Sequence, residues 1–334
     1  ARGIADVICA TELSTSHGLG ARTETLAVEA SIRKIMRTFV RDLLPPSAPE
    51  GSVSIMTSSG GLSSHESFQA KDGLLSGPAG GVVGAAFSAV DTGEDRILGF
   101  DMGGTSTDVS RWDQRMLYRF ETRVGPARIQ SPCLAIETVA AGGGSICDFG
   151  AEGLSVGPES AGASPGPACY GAGGPLTVTD INLLSGRVSA ERFGIPVNAE
   201  ASEAALEALM DHMQSMGQIR PKRDQLLRGL LEITNERMAE AMQSISLREG
   251  ADPTRHALVP FGGAGGQHAC AVAERLGIER ILFPLGAGLL SAHGVLDAPE
   301  QGFEEQEINR GLEETIGTLE ALFERLTRSA AARL

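Results

Sequence analysis

Glycine-rich segments directly follow short apolar runs at several places in this chain, and that arrangement limits the folds it can adopt. The clearest case is Ile97–Asp101, ILGFD, a buried-strand pattern that runs into Asp101–Asp108, DMGGTSTD. Glycine lets the backbone turn tightly and approach a ligand closely. The 43 glycines among 334 residues are clustered rather than spread, which favours ligand-contacting loops over disorder.

Apolar runs bounded by turn residues predict the strands. After Ile97–Asp101, the pattern predicts a returning strand at Asp108–Trp112 and a further antiparallel strand at Met116–Glu121. Other expected strands are Val53–Thr57, Ala135–Ala140, His256–Phe261 and Ile281–Phe283. Gly157–Gly174 is expected to form a long functional loop, because idle loops of that length are uncommon in compact domains.

Helical periodicity accounts for much of the remaining chain. The FGGAGG segment is predicted to be a loop that leads into a helix from about Gln267 to Leu276. The charged tail beyond Glu304 also shows an amphipathic helical pattern. Further helices are expected at Leu26–Leu44, Ser76–Val90, Ala199–Met216, Asp224–Arg248 and Leu289–Leu296. Strands alternating with helices predict an α/β fold, with a mixed sheet flanked by helices.

Charge and cysteine content narrow the function classes. The formal net charge is −14, so nucleic acid and anionic membranes are poor partners. The five cysteines are odd in number and include no CxxC pair, which is typical of a protein in a reducing cytoplasm. Because the chain begins with Ala1 rather than Met, we expect it to be part of a longer protein.

DMGGTSTD is the first candidate site. Backbone amides in such a turn can form an anion nest, and carboxylate oxygens suit Mg²⁺. Asp101 and Asp108 are therefore the candidate catalytic and metal-binding residues. The candidate nucleotide-phosphate contacts are Gly103, Gly104, Thr105, Ser106 and Thr107. The alternative is a glycine-rich hairpin with capping hydroxyls.

FGGAGGQH is the second candidate site. It is neither a P-loop nor a good dinucleotide-binding fingerprint. Glycines at a helix N-terminus allow close approach of a phosphate or an adenosine, so the candidate nucleotide-binding residues are Gly262, Gly263, Gly265 and Gly266. The alternative is close helix–strand packing. His268 fits a residue of the helix better than a catalyst.

The third candidate is TVAAGGGS, where glycines after a strand are expected to leave backbone amides free for a substrate or phosphoryl group. Its candidate residues are Gly142, Gly143, Gly144 and Ser145, and the alternative is a bulge or hairpin turn. Cys169 resembles a nucleophile, but no His or Lys lies near it in the sequence, which favours a buried structural role. Glu159 and Asp180 are candidates for metal binding or water activation, and the alternative for each is a solvated or capping role.

Seven motifs together resemble the hydantoinase A / 5-oxoprolinase family, within the actin/Hsp70/sugar-kinase ATPase superfamily. They cover much of Val53–Ala298 in the expected order: IMTSSGGL, KDGLLSGPAGGVVGA, GFDMGGTSTDVS, ETVAAGGGSI, VGPESAGASPGPACYGAGGPLTVTDINLLSGR, FGGAGGQHAC and LLSAHGVLDA. The TVAAGGGSI and FGGAGGQHAC versions are most similar to bacterial-type 5-oxoprolinase. The resemblance implies a ribonuclease-H-like, actin-like ATPase lobe over 49–300, with a helical insertion near 197–250. A helical segment over 1–48 would precede the lobe, and 301–334 would begin a truncated C-terminal region.

The resemblance also implies a reaction. ATP and Mg²⁺ would support hydrolysis of a five-membered cyclic amide (5-oxoproline to glutamate, or a hydantoin) through phosphorylation of the amide oxygen. The alternatives are an ATP-using subunit of an acetone-type carboxylase and a non-catalytic ATP-binding module. An N-terminal lobe and a C-terminal region of the parent would lie outside this chain, which would then be inactive alone. The other expected partner is a second copy or a second hydantoinase-type subunit.

Overall fold

The computed structural model describes residues 7–14, 18–44, 53–248 and 250–332. The helices are α1 (Ala10–Leu13), α2 (Leu19–Leu43), α3 (Ser76–Thr92), α4 (Val178–Leu184), α5 (Ala199–Ser215), α6 (Arg223–Arg248), α7 (Gly262–Leu276), α8 (Leu290–Asp297), α9 (Leu312–Thr315) and α10 (Leu319–Ala331). The strands are β1 (Ser54–Met56), β2 (Leu62–Ser64), β3 (Arg96–Met102), β4 (Thr107–Asp113), β5 (Tyr118–Val124), β6 (Ala127–Leu134), β7 (Ile136–Val139), β8 (Ser145–Gly150), β9 (Gly153–Ser160) and β10 (Ala257–Phe261). No helix formed by these residues combines the length and apolarity needed to cross a membrane.

The chain divides into two compact units, each assembled from separate stretches. Unit 1 comprises Ala1–Gly84, Leu117–Ala135 and Ser291–Leu334, and unit 2 comprises Ala85–Met116 and Ile136–Leu290. The domain boundaries predicted from the sequence, at 48/49 and 300/301, stay predictions. The candidate site residues all belong to unit 2.

A four-stranded mixed sheet forms the centre of unit 2. Its strand order is β10-β3-β4-β7. Strand β10 runs parallel to β3, whereas β3 and β4 are antiparallel, as are β4 and β7. The predicted α/β class with a mixed sheet and helices is therefore confirmed.

The two faces of this sheet bury different sets of side chains. Because successive residues of a strand point to opposite faces, Leu98 and Phe100 join one apolar cluster with residues of α4 to α7. Ile97 belongs to the other cluster, with Trp112 and alanines from the second half of α3. Asp101 continues the Ile97 face and lies where that apolar face ends.

Unit 1 contains the β5–β6 hairpin, against which α2 packs. The Glu24 carboxylate accepts the Arg128 amide at 2.7 Å, and the Thr25 hydroxyl accepts the Gln130 amide at 2.9 Å. The prediction that Met116–Glu121 continues the antiparallel pattern of β4 is wrong. The chain leaves the mixed sheet after β4, and among the described strands β5 pairs only with β6.

Two other sequence predictions need correction. The FGGAGG segment is not a loop before a helix, because α7 already begins at Gly262. Glycine has a low intrinsic helix propensity, and packing on the sheet overrides it here. Ile281–Phe283 is not a strand but a single bridge from Ile281 to Leu258. The expected helix over Leu26–Leu44 is confirmed and begins earlier, at Leu19.

Candidate functional site

Asp101 and Asp108 are direct cross-strand partners on β3 and β4. The pairing continues to Thr138 on β7, opposite Asp108, and to Phe261 on β10, opposite Asp101. Four strands thus contribute one residue each to a single row across the end of the sheet. Facing side chains in such a row lie about 5 Å apart at Cβ, so the two carboxylates are neighbours.

Both carboxyl groups are half-buried, and the pKa of each is raised. Burial raises the pKa of Asp101 to about 6, and the neighbouring Asp108 charge adds to the shift. Burial also raises the pKa of Asp108, although a hydrogen bond from Thr138 opposes the shift. That bond, from the Thr138 hydroxyl to Oδ1 of Asp108, is 2.6 Å long. Two adjacent carboxylates in partial burial therefore lack a compensating positive charge.

The hairpin tip between β3 and β4 presents unpaired backbone donors. The Gly103 amide donates to the Ser106 carbonyl oxygen at 3.0 Å, and this hydrogen bond closes the turn. Within the described chain, the amides of Gly104, Thr105 and Ser106 donate to no protein acceptor. A Cβ added at Gly104 would meet nothing within 4 Å, and the tip is exposed. Successive free N–H groups of this kind form an anion nest.

Helix α7 begins beside Asp101. Gly262 has φ +75°, a value that favours glycine, and a Cβ there would collide with Asp101 Oδ1 and lie 2.6 Å from the Met102 carbonyl oxygen. A Cβ at Gly265 would lie 3.1 Å from the Phe100 carbonyl oxygen. Gly263 and Gly266 are exposed. The first turn of an α-helix leaves four backbone N–H groups without intrahelical partners, so a second set of donors begins next to the carboxylate pair.

The expectation of free amides at Gly142–Ser145 is wrong. The Gly143 amide donates to the Gly103 carbonyl at 3.0 Å, and the Gly144 amide donates to the Gly104 carbonyl at 2.5 Å. The Gly142 amide donates to the Ser145 hydroxyl at 2.8 Å. This glycine segment is buried and supports the hairpin tip from behind.

Two hydroxyls among the candidate residues are also engaged internally. The buried Thr107 hydroxyl donates to the Ala141 carbonyl at 2.5 Å, and that of Ser145 accepts the Gly142 amide. Their contribution to the site is to fix the two glycine segments. Thr105 is exposed and Ser106 is half-buried at the tip.

Sequence reasoning missed two threonines that hold this arrangement. Thr138 bonds Asp108. Thr179, in the first turn of α4, donates its amide at 2.7 Å and its hydroxyl at 2.8 Å to the Gly143 carbonyl. The TVTD sequence is a capping-box signal, and it could have located the start of α4.

The Asp180 carboxylate is buried and accepts hydrogen bonds from several segments. It closes the capping box with Thr177, and its carboxylate also accepts the amides of Ala168 and Cys169 at 3.1 and 2.7 Å and the Ser202 hydroxyl at 2.7 Å. Of the roles that the sequence left open, capping is the one its contacts support. Glu159 lies exposed on β9.

Cys169 is fully buried. Burial raises the pKa of its thiol to about 12, and the Asp180 charge adds to the shift. Since the thiolate is the nucleophile, this thiol is inert near neutral pH.

His268 is buried between two amides. Its Nδ1 lies 2.8 Å from Asn235 Oδ1, and its Nε2 lies 2.9 Å from Asn182 Nδ2. Burial lowers the pKa of His268 to about 4, with a contribution from the Arg187 charge. A neutral ring that donates from Nδ1 and accepts at Nε2 satisfies both contacts, so His268 ties α7 to α6 and α4.

The carboxylate pair fits Mg²⁺ on its donor chemistry. In proteins Mg²⁺ is usually held by one or two carboxylates together with water and substrate phosphates. Asp101 and Asp108 supply two such groups, and a cation would stabilise the ionised form of Asp101, which burial and, to a lesser extent, the Asp108 charge disfavour. Within the described ranges, no three His, Cys, Asp or Glu side chains converge on a common point.

The fold and this end of the sheet define a class: an α/β protein with a carboxylate pair between two glycine-rich backbone segments. Residues 22–299 match the hydantoinase/oxoprolinase family, and the chain belongs to that family. It is 41% identical over 309 residues to the 5-oxoprolinase PfmaA of Pestalotiopsis fici, covering 87% of this chain and 24% of that protein. The chain thus spans about a quarter of the length of that relative.

Solved structures show the same fold. An ATP-dependent caprolactamase from Pseudomonas jessenii superposes with a TM-score of 0.78 at 27% identity, covering 97% of this chain and 49% of that one. A nucleotide-free acetone carboxylase superposes with a TM-score of 0.73 at 23% identity, covering 96% of this chain and 47% of that one. The second likeness concerns the fold alone.

Proposed function

We propose that unit 2 is a ribonuclease-H-like, actin-type ATPase lobe and that its mixed-sheet edge holds the phosphates of ATP. The observation that carries this proposal is the Asp101–Asp108 pair, which lies between the unpaired amides of Gly104–Ser106 and the first turn of α7. In an acidic chain, backbone N–H groups and a metal ion must supply the positive potential that a phosphate needs.

Each segment has a distinct part in this proposal. The hairpin tip donates hydrogen bonds to phosphate oxygens, and the exposed glycines of α7, Gly263 and Gly266, admit the nucleotide close to the backbone. Asp101 and Asp108 hold Mg²⁺, which when bound neutralises phosphate charge during phosphoryl transfer. Gly142–Gly144 act indirectly, because their hydrogen bonds to Gly103 and Gly104 hold the tip in place.

The full-length protein, on this proposal, is an ATP-dependent cyclic amide hydrolase. Its substrate is a five-membered ring, either 5-oxoproline, which opens to glutamate, or a hydantoin. Membership of the hydantoinase/oxoprolinase family and the 41% identity to a 5-oxoprolinase support this activity. The caprolactamase likeness supports the broader class, the ATP-driven opening of a cyclic amide.

The chemistry explains why ATP is needed. A lactam carbonyl is a poor electrophile, because the ring nitrogen donates electron density to it. Transfer of the γ-phosphoryl group to the amide oxygen, with release of ADP, converts that oxygen into part of a good leaving group. Water then adds to the activated carbon. The ring C–N bond breaks as the nitrogen takes up a proton, and a second water hydrolyses the resulting acyl phosphate to a carboxylate and inorganic phosphate. Positioning and electrostatic stabilisation supply most of the catalysis in phosphoryl transfers of this kind.

Residues outside this chain complete the proposed enzyme. The chain covers 24% of PfmaA and 49% of the caprolactamase chain. We therefore propose that a further lobe closes over the nucleotide, and that a second copy or a second hydantoinase-type subunit takes part in turnover.

The test is ATP hydrolysis by the full-length protein, measured as ADP release with and without cyclic amides. We expect 5-oxoproline or a hydantoin to stimulate ADP release and to be consumed in equal amount. Hydantoin-dependent turnover without a 5-oxoproline effect would select the hydantoin of the two proposed substrates. If no cyclic amide changes ADP release, the proposed activity is wrong.

A further inference from the structure

Unit 1 contains a cavity of about 360 Å³, which lies within the size range of small-molecule sites. Nine of the described residues that line it are serine or threonine. Four of them, Ser14, Thr57, Ser59 and Ser131, are buried. Ser14, Thr57 and Ser131 donate their hydroxyls within the protein, to Gln130, Gly61 and Asp72, and the Ser59 hydroxyl bonds to Thr57 and Gln301. These oxygens therefore meet a ligand with their remaining acceptor lone pairs.

Hydrogen bonds fix the two sides of this cavity. On one side, the segment 299–305 adds to β2: the Leu62 amide donates to the Pro299 carbonyl at 2.8 Å, and the Gln301 amide donates to the Leu62 carbonyl at 3.1 Å. On the other side, the Ser14 hydroxyl donates to Gln130 Oε1 at 2.8 Å. The cavity is thus held by backbone and side-chain bonds within one unit.

The described lining is acidic. Among the described residues that line the cavity, Lys71 is the one cation; its side chain is 5% exposed, and its Nζ lies 2.6 Å from Asp72 Oδ1. The same Asp72 oxygen accepts the Ser131 hydroxyl at 2.5 Å. The carboxylates of Glu12 and Glu300 also line the cavity. Phosphates and carboxylates are repelled by such a lining, whereas a cation is attracted.

Two aromatic rings also line the cavity, Phe120 and Phe303. The Phe303 ring stacks edge-on against Tyr118, with 5.5 Å between ring centroids, so its position is set. Aromatic faces attract organic ammonium groups, and recognition of quaternary ammonium ligands is a frequent use of such rings.

We propose that this cavity binds a small organic ammonium compound that carries a hydroxyl group. The ammonium group meets the carboxylates and the aromatic rings, and the hydroxyl group bonds to the serines and threonines at the base. The site excludes ATP and the 5-oxoproline anion by charge. The inference uses no step of the proposed function, and it can fail or hold independently of that function.

The experiment compares two probes of equal shape, choline and 3,3-dimethylbutan-1-ol, which replaces the quaternary nitrogen by carbon. Each is titrated calorimetrically into the full chain at low ionic strength. We expect choline to bind at least about tenfold more tightly than its neutral isostere. Equal affinity for the two probes, or binding of neither at 50 mM (roughly the weakest affinity that such a titration resolves), would overturn the proposal.

Variants distinguish specific binding from surface attraction. Phe303→Leu and Glu300→Gln should each weaken choline binding several-fold and leave the isostere unaffected. Glu152→Gln, which removes an exposed carboxylate of unit 2, is the matched control and should leave choline binding unchanged. Thermal unfolding of each variant verifies that it is folded. If Glu152→Gln weakens choline binding as much as Glu300→Gln does, or if 5-oxoproline displaces choline, the assignment is wrong.

Discussion

Asp101 and Asp108 face each other across the β3–β4 pairing, and no cationic side chain contributes to the pKa shift of either one. Two like charges in this arrangement destabilise the folded state, and a bound cation would offset that destabilisation. The same two carboxylates therefore lower the stability of the unliganded protein and favour the binding of a cation.

A first prediction concerns pH and Asp101. Its folded pKa of about 6 lies above the ordinary value of 3.8, so the folded state binds the proton more tightly than the unfolded state. The free energy of unfolding therefore decreases as pH rises from about 4 to 6. Above pH 6 the destabilisation by ionised Asp101 is complete. Without Mg²⁺, Asp101→Asn should unfold at the same temperature as wild type at pH 4. At pH 7.5 it should be more stable by about 1–2 kcal/mol, a value reduced for solvent screening.

Calorimetric melting curves at both pH values check this prediction. Glu152→Gln serves as the control, because it removes a carboxylate from an exposed turn. A stabilisation by Asp101→Asn of equal size at pH 4 and 7.5 would show that ionisation of the half-buried Asp101 is not its cause.

A second prediction separates two adjacent glycines. A Cβ at Gly262 meets Asp101 and the Met102 carbonyl, and its φ is +75°, whereas a Cβ at Gly263 meets nothing within 4 Å. Gly262→Ala should destabilise the protein by about 1–3 kcal/mol and abolish nucleotide binding. Gly263→Ala should leave the free energy of unfolding within about 0.5 kcal/mol. Urea unfolding measures both, and similar losses for the two variants would contradict the contact at Asp101.

A third prediction concerns His268. Its folded pKa of about 4 lies below the ordinary 6.5, so the stability it contributes is present above pH 6.5 and is lost as pH falls towards 4. Over that interval wild type should lose up to about 3 kcal/mol more than His268→Gln. His293→Gln, at an exposed position, should keep the wild-type pH slope. A wild-type slope in His268→Gln would mean that His268 is not the titrating group.

A fourth prediction concerns thiol reactivity. Cys9 and Cys270 are exposed, whereas Cys169 is buried and has a raised pKa. Iodoacetamide at pH 7.5 should label Cys9 and Cys270 within minutes and leave Cys169 unlabelled until the protein is unfolded. Mass spectrometry of tryptic peptides measures this. Rapid labelling of Cys169 in the native protein would restore it as a candidate nucleophile.

The sequence predicted the strands of the mixed sheet well, because ILGFD and its neighbours are short apolar runs that end in turn residues. It could not predict that Gly143 and Gly144 bond to Gly103 and Gly104, since this contact depends on the tertiary position of two loops about forty residues apart. The helical start of α7 was missed for a related reason: glycine propensity opposes a helix there, and packing on β3 decides it.

The candidate site residues remain predictions, although the structure brings Asp101, Asp108 and Gly262 together as the sequence order alone could not show. Thr138 opens the TVAAGGGS motif, but nothing in that motif indicates its bond to Asp108, which only the β4–β7 register reveals. Asn182 and Asn235, which hold His268, likewise become visible only when three helices are packed together.

The most direct test of the central claim is calorimetric titration of MgADP into the full-length protein, its Asp108→Asn variant and the Glu152→Gln control. Asp108→Asn keeps the size of the side chain and the Oδ1 acceptor for the Thr138 hydroxyl, but it replaces the second carboxylate oxygen by an NH2 donor and removes one charge from the pair. We predict that wild type and Glu152→Gln bind MgADP alike, while Asp108→Asn loses at least about tenfold in affinity and loses its dependence on Mg²⁺. Wild-type, Mg²⁺-dependent affinity in Asp108→Asn would contradict the assignment of this carboxylate pair to the nucleotide site.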